Sequence, residues 1–128
     1  MKETAHEKLA AVLAATPAVQ FGALIGSRTS NTARDDSDWD IAVRWAIVDG
    51  QTRIAAHEVL RRQLASAMDV QDDDIDLVDL ANAGLAMRAV VAEEGLLLQA
   101  NDELAWLYFL SRTWRELEDF YWEQQHAA

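Results

Sequence analysis

The stretch from Asp38 to Trp45, Asp-Trp-Asp-Ile-Ala-Val-Arg-Trp, constrains this chain more than any other, because it alternates strictly. Successive side chains of a strand leave opposite faces. Trp39, Ile41, Val43 and Trp45 therefore share one face, and Asp38, Asp40, Ala42 and Arg44 share the other. The first set predicts burial against a core. The second puts two carboxylates side by side on an open face, an arrangement with one obvious use, the gripping of a divalent metal. Ten residues, Arg28 to Ser37, separate this strand from Gly26-Ser27. A Gly-Ser turn suits phosphate: Gly26 lets the backbone come close, and Ser27 offers a hydroxyl and an amide. Alone it is weak evidence. At a fixed distance from a strand-borne Asp-x-Asp it describes a site for a metal–nucleotide complex.

The rest of the chain supplies the frame. Residues 3–15 read as a helix with Leu9, Val12 and Leu13 on one face, stopped by Thr16-Pro17. Val19 to Ile25 is a short apolar run, read as a buried strand antiparallel to the next. Residues 26–37 are turn-like. Asp49-Gly50 is a turn, 51–68 a helix, Asp72-Asp73-Asp74 a solvated turn, and Ile75 to Leu80 a third strand. Leu85 to Glu94 reads as a helix ending at Gly95. Leu96-Leu97-Leu98 is a fourth short strand, and 102–125 a long helix rich in aromatics. The order α-β-β-α-β-α-β-α predicts one α/β (α+β) domain over residues 1–128, a small mixed sheet with helices on one face and a long C-terminal helix.

The third strand brings in a third carboxylate. Asp76 lies one residue into it, and if that strand lies beside the second, Asp38, Asp40 and Asp76 converge. Three anions in a partly desolvated cleft repel one another, and divalent cations relieve the repulsion. Two metals held this way stabilise the entering and leaving oxygens of an in-line displacement at phosphorus. Asp40 is placed to bridge both, and Asp76, coming from another strand, to accept the proton of an attacking hydroxyl. Asp72, Asp73, Asp74 and Asp79 crowd around Asp76, so the choice of third carboxylate stays open, although alternation puts Asp79 on the opposite face. Arg28 joins Gly26 and Ser27 as a nucleotide contact, but Arg28 and Arg34 both also have acids nearby to pair with. Asp35 and Asp36 read as a solvated charge run, and His6, His57 and His126 as surface residues with no ligand spacing.

Composition limits what else the chain does. Its 128 residues suffice for one domain with a core. There is no cysteine, so disulfides are excluded, which accords with a reducing cytosol. The N-terminus mixes charges and is not a signal peptide, and no run approaches a membrane span, so a cytoplasmic protein is expected. A net charge of −11 repels bulk nucleic acid, so a nucleotide needs a cation to bring it in, and a basic protein partner suits the surface. The C-terminal helix carries more apolar surface than one core-facing stripe needs. Trp106, Phe109, Trp114 and Tyr121 are expected to contact a partner, another protein or a second copy.

These residues resemble a known family. Gly26-Ser27, the ten-residue spacer, Ser37-Asp38-Trp39-Asp40-Ile41 and the later Asp76-Leu77-Val78 are similar to the motifs of minimal nucleotidyltransferases of the DNA polymerase beta-like superfamily. Within it the similarity is to the MntA-type antitoxins of HEPN/MNT (HepT/MntA) toxin–antitoxin pairs, and it covers most of the chain. The resemblance implies an enzyme that takes ATP, releases pyrophosphate and places AMP on a tyrosine of a HepT-like RNase toxin, silencing it. It implies Asp38 and Asp40 as Mg²⁺ ligands, two ions in all, Asp76 as the third carboxylate, and Gly26 and Ser27 around the triphosphate. One departure is Asn31, which stands where a second Gly is common; Asn tolerates positive φ. Two other readings remain: a catalytically idle antitoxin that neutralises the toxin by binding, and a nucleotidyltransferase acting on a small molecule.

Overall fold

In a computed structural model, residues 3–29 and 38–127 are described. The chain runs α1 (Ala5–Ala14), β1 (Val19–Ile25), a 3-10 turn (Gly26–Thr29), β2 (Trp39–Trp45), α2 (Gly50–Met68) and a 3-10 turn (Asp72–Asp74). It continues with β3 (Ile75–Asp79), a 3-10 turn (Leu80–Asn82), α3 (Leu85–Glu94), β4 (Leu96–Ala100) and α4 (Glu103–His126). The expected order of elements is observed, with boundaries moved by one or two residues. Asn31, Arg34, Asp35 and Asp36 lie outside the described residues.

Short polar side chains set the helix starts. Thr4 accepts from the Glu7 amide, Asp49 from that of Thr52, and Asp102 from that of Ala105. At the other end of α2, Asp69 takes the left-handed conformation (φ 56°) that ends a helix, a position Asp tolerates better than a β-branched residue.

The sheet order is β3-β2-β1-β4. β1 pairs antiparallel with both β2 and β4, and β2 pairs parallel with β3, so the sheet is mixed. The parallel step uses α2 as its crossover, as a parallel pair requires. On one face Trp39, Ile41 and Val43 pack with Leu9 and Leu13 of α1 and Leu60 and Leu64 of α2. Gly22 is small because α1 sits on it: a Cβ there would lie 2.7 Å from a Leu13 methyl.

The expectation of helices on one face is incomplete. On the second face Phe21, Ala23, Ile25 and Ala42 pack with Val91 of α3 and Phe109 of α4. The reason lies in β1, a central strand buried at every position except Gln20. A strand buried on both faces needs cover from both sides. α3 and α4 supply it, and an ion pair between Arg88 and Glu116 ties them together. Among the described residues no helix is long and apolar enough to cross a membrane.

Candidate active site

Backbone pairing assembles the site. Ile25, the last residue of β1, lies opposite Asp40, and Asp40 lies opposite Asp76 on the parallel neighbour. Parallel strands in register keep paired side chains on one face, so the carboxylates of Asp40 and Asp76 meet. Gly26 follows directly with φ 78°, and a Cβ at that position would fall 2.5 Å from Asp40 Oδ2. Two independent reasons therefore require glycine here: a left-handed backbone and a carboxylate lying against it. The turn is closed by the Thr29 hydroxyl, which donates to the Gly26 carbonyl at 2.7 Å. Ser27 stands exposed at its outer edge.

Electrostatics mark Asp40 as the strained member. Burial raises the pKa of its carboxyl above the ordinary value; the negative charge and hydrogen bond of Asp76 add to this, and the charge of Asp38 adds further. Asp76 itself is exposed, and so is Asp38, two residues upstream of Asp40. Among the described residues no three acidic or histidine groups are gathered closely enough to hold a metal ion by themselves. The expected three-way convergence is thus a pair, Asp40 with Asp76, with Asp38 beside it. This donor set fits Mg²⁺, which is held by one or two carboxylates and completes its shell with water and phosphate oxygens. The repulsion that disturbs Asp40 is the kind a divalent cation relieves.

The structure also separates Asp76 from its rivals. Asp79 accepts from Arg53 Nε at 2.8 Å and from the Ala81 amide at 3.0 Å, on the other face of β3. Asp74 caps its own turn through the Gln71 amide. Asp72 and Asp73 lie near Arg62 and Arg61. Each has a structural use, and Asp76 alone faces Asp40.

Arg28 and His57 each make a contact that the sequence did not show. The Arg28 guanidinium lies 4.3 Å from the centre of the Trp39 ring, and Trp39 belongs to the core on the opposite face. Arg28 is therefore a stacking partner of the core indole. His57 is not a free surface residue: its Nδ1 accepts from Trp45 Nε1 at 3.0 Å, and its Nε2 lies 2.8 Å from the Leu77 carbonyl. An indole N–H only donates, so Nδ1 is unprotonated and Nε2 carries the hydrogen that reaches Leu77. This bridge ties β2 to β3 from outside, and a lone His in a helical stretch gave no sign of it.

Of the four partner-contact candidates, Phe109 is only 7% exposed, and Trp106 is half-buried edge-on against Phe21. Both complete the second core. Trp114 and Tyr121 are exposed. A cleft of about 910 Å³ opens beside α4, lined by Arg44, Tyr108 and Arg112. Arg44 is four residues from Asp40, about 13 Å along the strand, so the cleft is separate from the carboxylates.

A sheet end carrying a glycine turn against paired carboxylates has the chemistry that nucleotidyl transfer needs. Residues 7–104 match the family model described as polymerase beta, nucleotidyltransferase. The chain belongs to that family. Its fold is also similar to several solved structures of one kind. One is a toxin–antitoxin with AMP-PNP, at 32% identity and TM-score 0.70, covering 94% of this chain and 92% of the other. A second is the toxin–antitoxin MntA–HepT, at 30% identity and TM-score 0.64, covering 94% and 91%. A third is a tri-AMPylated Shewanella oneidensis HEPN toxin in complex with MNT antitoxin, at 29% identity and TM-score 0.66, covering 94% and 90%. Within the family the similarity is therefore to the MntA-type minimal nucleotidyltransferase antitoxins. No curated protein matches the chain.

Proposed function

We propose that this chain is the antitoxin of a HEPN/MNT pair and transfers AMP from ATP to a tyrosine of a HepT-like RNase toxin, which silences the toxin. The observation that carries this reading is the Asp40–Asp76 pair, held in strand register against a glycine that nothing larger can replace.

The chemistry follows from the positions. Gly26 and Ser27 hold the triphosphate where the turn brings backbone close to it. Asp38, Asp40 and Asp76 would hold Mg²⁺, which when bound neutralises charge on the phosphates and orients them. The tyrosine oxygen attacks the α-phosphorus of ATP. A P–O bond forms to tyrosine, the bond to the β-phosphate oxygen breaks, and pyrophosphate leaves with the electron pair. Asp76, exposed at the open edge of the pair, accepts the phenolic proton. Asp40, partly buried between Gly26 and Asp76, fixes the geometry around the phosphates.

Intact-mass spectrometry of the toxin tests the proposal, after incubation with this chain, ATP and Mg²⁺. The expected result is a mass gain of one or more AMP groups, abolished in the Asp38→Asn/Asp40→Asn variant. No gain from wild type, with the RNase nevertheless blocked, would mean neutralisation by binding alone.

A further inference from the structure

α4 carries a second apolar seam that the core meets only at Leu110. Its core-facing side chains are Phe109 and Thr113, both buried, with Trp106 beside them. Separately, Leu107, Leu110, Trp114, Leu117 and Tyr121 follow one another at spacings of three, four, three and four residues. That spacing is the a/d pattern of a helix that packs lengthwise against another helix. Leu107, Trp114 and Tyr121 occupy successive a positions and are 58%, 47% and 57% exposed. Leu110 and Leu117, at d, are half-buried. Pure core packing gives no reason for a heptad stripe on the flank of a helix whose other side already meets the sheet. Nor does it explain large aromatics kept in water at intervals of seven.

We infer that this seam is the docking surface for an α-helix of the partner protein, one bearing its own apolar stripe flanked by basic residues. Charge decides between that occupant and a second copy of this chain. Glu118 borders the seam, and Asp119 and Glu123 follow on the same helix; none is ion-paired among the described residues. A second copy would bring a chain of net charge −11 against its like. A basic helix meets complementary charge instead. The seam lies on α4 and shares no residue with the Asp40–Asp76 pair. The inference rests on the proposed HEPN-type partner but not on AMP transfer.

The test uses Trp114→Glu/Tyr121→Glu, two exposed positions whose change leaves the core intact, with circular dichroism and melting temperature as folding checks. Binding of the whole chain to the HEPN-type RNase is measured by sedimentation without nucleotide. Affinity is expected to fall by roughly 100-fold or more in the seam variant, since interface aromatics are common hot spots, and to stay unchanged in Asp40→Asn. A seam variant that binds as wild type does overturns the inference, as does a wild-type chain that does not bind the RNase. A wild-type homodimer made monomeric by the same substitutions would assign the seam to a second copy and overturn the choice of occupant. Loss of AMP transfer in Asp40→Asn with binding retained separates this docking surface from the chemistry.

Discussion

At the residue scale, Asp40 shows what a pair of close carboxylates costs a fold. Its carboxyl is pushed above its ordinary pKa of 3.8 by burial, by Asp76 and by Asp38. The native state therefore binds more protons than the unfolded chain as pH rises from 3.8 towards the raised value. Across that window stability falls with rising pH, and the penalty is fully present at neutral pH. Asp40→Asn removes the charge, so the variant is expected to melt a few degrees above wild type at pH 7 without added metal. Solvent screening of a partly exposed group keeps the gain small. Thermal melts from pH 7 down to pH 3 check this: the gain should shrink on acidification and vanish below about 3.8. A variant less stable than wild type at pH 7 would show that the charge of Asp40 is no net cost to the metal-free fold.

At the element scale, what was legible in the sequence was whatever local chemistry decides. The alternation from Asp38 to Trp45 put Trp39, Ile41, Val43 and Trp45 on the correct face, although the face read as open also buries Ala42, and the apolar run of β1 marked a buried strand. Gly26-Ser27 fell at the turn beside Asp40 because a positive φ at that point needs glycine. Long-range pairing was not legible. Nothing near Arg28 foretells that it stacks on Trp39, or near His57 that it links Trp45 to Leu77. Asn101 is a further case. Its side-chain amide lies 2.9 Å from the Leu13 carbonyl, 3.2 Å from that of Thr16 and 2.9 Å from that of Val19. It thereby joins the end of α1 and the start of β1 to the connection between β4 and α4. Asn101→Ala is expected to cost roughly 1–3 kcal/mol in chemical denaturation. A loss within 0.5 kcal/mol or so, the range of an ordinary surface change, would show that water serves those carbonyls equally well.

At the scale of the whole molecule, charge and shape divide the work. A chain of net charge −11 carries its carboxylate pair at one end of the sheet and its exposed seam along α4, a helix of 24 residues and about 36 Å in length. The buried residues of that helix, Phe109 and Thr113, lie in its first half, and the Arg88–Glu116 ion pair joins it to α3. The acidic surface disfavours direct contact with RNA and favours an RNA-handling protein, whose own binding surface must be positive to hold its substrate. Encounter between the two should then be steered by long-range attraction, while the apolar seam sets how long the complex lasts. Association of this chain with the HEPN-type RNase is therefore expected to slow by roughly tenfold or more as the ionic strength rises from about 0.01 M to about 0.15 M, over which the Debye length falls from about 30 Å to about 8 Å. The dissociation rate should change far less. Stopped-flow mixing at several salt concentrations measures both. Because the attraction belongs to the whole surface, Asp40→Asn should leave the salt dependence intact. An association rate indifferent to salt would mean that the acidity of the chain serves solubility alone and that the seam finds its partner without steering.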